Sequence, residues 1–212
     1  MKIKLTIFAA ILVLFVLTGC CFSSGGSSTT AKTTIPVTTA TETTAQPAIE
    51  KGEYNIGDTG PAGGLIFYVN SDYITDGWRY LEAAPSDQST EIQWCDGSDV
   101  TTGATATVVG TGQANTQTIV KVLGAGSYAA QLCNDLTQGD CSEWFLPSKD
   151  ELNEMRENLY LNSVGDFAEY YYWSSSESNS YASLAWTQHF TTGGTCTTNK
   201  TTNLRVRAVR AF

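Results

Sequence analysis

Hydrophobic and polar positions divide the chain into three stretches. Leu5 to Leu17 is a 13-residue run, apolar apart from Thr6. Residues 22–51 carry 13 Ser or Thr and almost no large apolar residue. From residue 52 onward, short patterned segments alternate with Gly-, Ser- and Thr-rich ones. Leu65–Val69 and Trp78–Ala83 read as strands, and 86–112 reads as loops with short strands at best. Asn115 is placed to cap a helix running to Leu123, with Ile119, Val120 and Leu123 on one face. Gly124 and Gly126 interrupt it, and Ser127 is placed to cap a second helix bearing Ala129, Leu132, Cys133 and Leu136. Ser148-Lys149-Asp150-Glu151 is a capping box, followed by the apolar stripe Leu152, Met155 and Leu159. Tyr170–Ser174, Leu184–Phe190 and Leu204–Phe212 close the pattern as strands, the second with Leu184, Trp186, Gln188 and Phe190 on one face. Strands and helices mix without a regular βαβ alternation. That predicts an α+β domain with a mainly antiparallel sheet and two or three helices.

The first two stretches read as an address. Lys2 and Lys4 precede the apolar run, which is too short for an ordinary membrane span. Leu17-Thr18-Gly19-Cys20 then resembles the bacterial lipobox. Residues 1–19 are thus expected to be a lipoprotein signal peptide and Cys20 the lipidated residue, anchoring the chain to a membrane of the cell envelope. Residues 20–51 follow as a lipidated Cys plus a Ser/Thr-rich linker of roughly 30 Å random-coil reach. Residues 52–212 form one exported domain, with enough chain for its own core.

Charge narrows the partners. From residue 52 the chain has 8 Lys or Arg against 19 Asp or Glu, a net charge of −11. A sequence-independent nucleic-acid binder needs a basic footprint, so nucleic acid is not an expected partner. Cys95, Cys133, Cys141 and Cys196 are an even set in an exported domain and predict two disulfides. Cys133 with Cys141 across a short polar loop, and Cys95 with Cys196, is the favoured pairing. Only one histidine, His189, is present, and there is no C-x-x-C motif. No metal site is therefore expected beyond Asp96 and Asp99 as weak calcium candidates, and no cofactor is implied. Trp173-Ser174-Ser175-Ser176-Glu177 lacks a base on its face, so no enzyme is expected.

Several blocks resemble one bacterial family. They are Gly57-Asp58-Thr59-Gly60-Pro61-Ala62-Gly63-Gly64-Leu65-Ile66-Phe67-Tyr68, Gly77-Trp78-Arg79-Tyr80-Leu81-Glu82-Ala83-Ala84-Pro85, Trp144 to Leu152, Tyr172 to Glu177, and Arg205 to Phe212. Together they resemble the Lcl C-terminal domain, named after a collagen-like adhesin. The Leu-Pro-Ser-x-x-Glu-Leu block and the Arg-ending last strand also look like sulfatase-modifying-factor and C-type lectin-like domains. That likeness implies a C-type lectin-like fold, with both termini together and ligands on a loop region within about 160–203. The resemblance points to adhesion. The expected function is a surface-displayed, lipid-anchored module binding an extracellular protein or glycan, with loop 174–200 carrying the ligand. The alternative is a structural envelope lipoprotein that self-associates as a homo-oligomer. Candidate ligand residues are Glu177, Asn179, Tyr181, Trp186, Arg205 and Arg207. For the arginines, pairing inside the domain with Glu82, Glu151 or Glu177 is the favoured reading.

Overall fold

A computed structural model describes residues 53–97 and 100–212. The expected signal peptide 1–19, the lipidation candidate Cys20, the expected linker to residue 51 and Asp99 lie outside the described residues. The described residues cluster as one compact unit.

The fold is α+β, built on two sheets. The first has the order β1-β2-β9-β4, all antiparallel, from Leu65–Val69, Tyr80–Ala83, Val209–Ala211 and Trp144–Phe145. The second has the order β3-β8-β5-β6-β7, from Ser89–Ile92, Leu204–Val206, Tyr171–Glu177, Leu184–His189 and Thr195–Asn199. Its pairings are antiparallel except β5 with β8, which run parallel at Tyr172 and Arg205. The expected last strand, 204–212, is therefore two strands. The chain leaves one sheet at Val206 and joins the other at Val209, with Arg207 and Ala208 buried at the crossing.

The core divides into two clusters, each drawing on both sheets. Trp94, Ile119, Tyr128, Trp144, Trp173 and Val206 lie in one. Phe67, Leu81, Met155, Tyr172, Phe190 and Val209 lie in the other.

Four α-helices are present among the described residues, more than the two or three expected. The additional one, α1 (Tyr73–Asp76), is a single turn closed by Gly77 at φ 78°, too short to show a period. The helix α2 spans Gly112–Leu123, α3 spans Ala129–Asn134 and α4 spans Lys149–Asn158. In α4 the capping box forms as its spacing dictates: Glu151 N donates to Ser148 Oγ at 3.2 Å, and Ser148 N donates to Glu151 Oε2 at 2.7 Å. Leu152, Met155 and Leu159 are buried beneath it.

The starts of α2 and α3 differ from expectation. Asn115 is inside α2, and its side-chain amide donates to Ala106 O at 2.7 Å. The amides at the start of α2 are held instead by Glu151, which accepts from Gly110 N at 2.8 Å and Gly112 N at 3.3 Å. Gly112 allows this approach, because a Cβ there would sit 2.2 Å from Glu151 Oε2. One carboxylate thus caps two helices. The helix α3 follows Tyr128 rather than Ser127, and Ala129 N donates to Gln93 O.

Candidate functional site

The expected ligand residues fall into three separate places. Glu177 is fully buried at the end of β5. Asn179 and Tyr181 are exposed on the turn between β5 and β6. Trp186 is half-buried on β6 with Lys149 Nζ 5.3 Å from its ring centroid. Arg205 and Arg207 meet at the opposite end of β5, where Tyr172 pairs with Arg205. The five strand steps from Tyr172 to Glu177 span about 17 Å. Within the expected ligand loop 174–200, Ser174 to Glu177 is buried strand rather than loop.

Three buried glutamates organise Gly-containing loops. Glu177 accepts from Gly103 N at 2.8 Å, Thr102 N at 3.0 Å and Thr102 Oγ1 at 3.1 Å. Its cation is Lys200, also fully buried, which donates in addition to Val100 O at 2.8 Å and lies 4.5 Å from the Trp94 ring centroid. Glu82 accepts from Gly64 N at 2.8 Å and Ala62 N at 3.1 Å, and pairs with Arg210 at 3.2 Å. Glu151 has backbone donors and, among the described residues, no cation. Burial pushes its carboxyl up to about 7, against the opposing pull of those amides. Burial raises Glu82 as well.

The sign of the resulting pH dependence is fixed. A carboxyl whose folded pKa exceeds its unfolded value, about 4.3, retains a proton that the unfolded chain has released. Glu151's contribution is complete below the unfolded value and is lost as pH rises towards about 7. The expected loss is about 3 kcal/mol. Urea unfolding at a series of pH values should show stability falling over that window, and Glu151→Gln should flatten the fall. An equal slope in the variant would assign the dependence elsewhere.

Asp87 is the hub of the arginine end. It accepts from Arg207 Nε at 2.7 Å, Arg205 Nη1 at 2.9 Å and Tyr172 Oη at 3.0 Å. The expected partners for Arg205 and Arg207 were glutamates, and this correction has a geometric reason. β8 pairs with β3, whose preceding turn brings Asp87 beneath both guanidinium groups. Arg210, beyond the sheet crossing, does take Glu82. Burial first, then Asp87, pushes the Tyr172 hydroxyl up to about 12. Arg207 also donates to Ala84 O at 3.0 Å, Gly165 O at 2.9 Å and Asp166 O at 3.3 Å, with its guanidinium 4.1 Å from the Phe167 ring centroid. It therefore fixes the 165–167 turn, where Gly165 and Asp166 both have positive φ.

That turn lines the first of two open cavities. One, of about 350 Å³, is lined by Leu161, Val164, Asp166, Phe167 and Glu169 among others. The other, of about 370 Å³, is lined by Glu91, Glu169, Tyr170, Asn203 and Arg205 among others. Glu169 lines both. Leu161 and Tyr170 are each 50% exposed, which leaves apolar and aromatic surface at the cavity edges.

The arginine-bearing final segment and the capped α4 lie within a longer stretch, residues 84–210, that matches the Lcl C-terminal domain. The chain belongs to the Lcl C-terminal domain family. No curated protein matches it. The matched stretch begins at Ala84, yet β1 and β2 precede it and complete the sheet of β9 and β4. As a folded object, this Lcl C-terminal domain therefore includes the residues before Ala84.

The Lcl C-terminal domain uses its cations internally. Seven of its eight Lys and Arg side chains are in ion pairs, and only Lys121 is outside that set among the described residues. The polar motif Ser174-Ser175-Ser176 is likewise occupied. Ser174 Oγ donates to Trp186 O at 2.8 Å, Ser176 Oγ to Ala106 O at 2.7 Å, and Ser175 Oγ accepts from Asn115 at 3.4 Å. His189 stacks edge-on against Tyr171 at 4.6 Å.

The two expected disulfides are absent among the described residues. Trp94 N donates to Lys200 O at 2.9 Å, but Cys196 is four residues earlier. Those residues span about 13 Å of strand, beyond the reach of a bond to Cys95. Cys133 faces the core from α3, where burial pushes its thiol well above the usual range and keeps it protonated. Asp96 is exposed, and no group of three or more potential metal ligands gathers among the described residues.

Proposed function

We propose that the chain is a lipid-anchored, surface-displayed binding module that recognises a protein or glycan through the paired cavities beside Tyr170. The observation that carries this reading is the pair itself: two open cavities that share Glu169, the first of them lined by a turn that a buried arginine holds in place. A fixed wall lowers the cost of ordering a site when the ligand arrives. The hydroxyl-rich strand of β5 spends its donors inside the fold, which favours binding over nucleophilic catalysis.

A C-type lectin-like relation is part of the proposal. It is supported by the meeting of the two ends of the domain, where Tyr54 lies 5.7 Å from Phe212 ring to ring and Arg79 N donates to Phe212 O. It is also supported by the position of the cavities, whose lining, apart from Thr90 and Glu91, comes from 160–170 and 203–205, about where the resemblance placed the ligand region. The apolar run Leu5–Leu17 and Cys20 support export and a lipid anchor in the bacterial cell envelope.

The test is a glycan and protein array probed with the full chain in non-ionic detergent, with calcium and with chelator. Binding indifferent to chelator is expected, since aromatic and polar contacts carry it. Silence across a broad array from folded protein would move the reading to self-association. One observation favours that second reading. β7 is an uncharged edge strand carrying an exposed Cys196, and such edges can pair with another copy.

A further inference from the structure

We infer that the paired cavities take a polypeptide segment that presents Lys or Arg side chains next to apolar ones. This rests on the binding-module reading and names the partner's chemistry. Asp166 lines the first cavity, Glu91 the second and Glu169 both. All three are exposed. Among the described residues the only cation lining either cavity is Arg205, and Asp87 takes it at 2.9 Å. The lining therefore carries uncompensated negative charge at its rim. Leu161, Val164 and Phe167 in one cavity and Tyr170 in the other add apolar area. A polyanion would meet three carboxylates with no available cation, and a neutral sugar would leave the carboxylates unused. A cationic, partly apolar segment complements both features. The domain's net charge of −11 would also speed its approach.

Any polycation binds a strongly acidic protein to some degree, so the test must separate the site from the background. The probe is a fluorescein-labelled decapeptide alternating lysine with leucine and tyrosine, with a glutamate-for-lysine counterpart. Binding to the full chain in non-ionic detergent is read by anisotropy over a range of salt. The triple variant Glu91→Gln, Asp166→Asn, Glu169→Gln should weaken the lysine peptide roughly tenfold or more. Neutralising the same number of exposed acids elsewhere, with Asp135→Asn, Asp140→Asn and Glu143→Gln, should cost less than about twofold. Leu161→Ser should weaken binding without changing its salt slope. Equal loss in the two triple variants means diffuse attraction and overturns the inference, as does equal binding of the glutamate peptide. If an array ligand is lost on Tyr170→Ala while the lysine peptide ignores the cavity acids, the partner class falls and the binding module stands. If Tyr170→Ala affects neither, both fall.

Discussion

Glu177→Gln should destabilise the domain by about 3–5 kcal/mol, because it leaves Lys200 charged and buried without its counter-ion. Both side chains of this pair have no exposed surface. Lys200→Met should cost a similar amount by stranding the carboxylate. The cost of either single change is chiefly the desolvation of the partner left behind, so the effects should not add. The double variant should recover at least about 2 kcal/mol relative to the sum of the singles. It should not return fully to the parent, since Glu177 also receives the Thr102 and Gly103 amides. A urea-denaturation cycle over the four proteins measures this directly. Additive losses would mean that the two groups do not act as a pair in the folded chain.

The second large effect is expected at Arg207. Its guanidinium serves Asp87 and three carbonyls, at Ala84, Gly165 and Asp166, so Ala substitution removes one charge partner and releases a turn. Asp87 keeps Arg205 and Tyr172, which limits the damage. About 3–5 kcal/mol is expected. Lys in place of Arg207 should rescue little, because a single ammonium cannot reproduce a planar fork that bonds in several directions. Both variants should lower the urea midpoint and also weaken binding at the first cavity, because the 165–167 turn lines it. An Arg207→Ala protein of normal stability that had lost only ligand binding would make Arg207 a ligand contact and overturn its structural role.

What the sequence revealed was mostly local. The capping box of α4 depends on residues three apart, and the apolar strand Leu65–Val69 on five in a row, so both could be read directly. The start of α2 could not, because its cap is Glu151, 39 residues after Gly112. β7 is Thr-rich with neither face buried, so it carries no alternation to read. Ser174 to Ser176 looked like loop because they are polar. Small hydroxyls that find carbonyl acceptors can be buried, as these are.

Candidate-site residues divided in the same way. Tyr170 was visible as the start of a predicted strand, and nothing local marked Leu161, Glu91 or Glu169 as its neighbours. Asp87 follows Pro85-Ser86 and gave no sign of its two arginines. One signal went unused. Between Tyr170 and Leu204 the only charged residues are Glu177 and Lys200, an isolated acid and an isolated base in a polar stretch. Such a pair is a candidate buried ion pair, and it argues against Glu177 as a ligand contact.

We propose that the cations are committed to the fold, which leaves the acid-rimmed cavities as the interaction surface. Retention of the full chain on immobilised heparin, a densely sulfated polysaccharide, tests it most directly. With seven of eight domain cations paired internally, the chain should pass through unretained at physiological salt. Retention that weakens as salt rises would reveal an available basic surface and contradict the account.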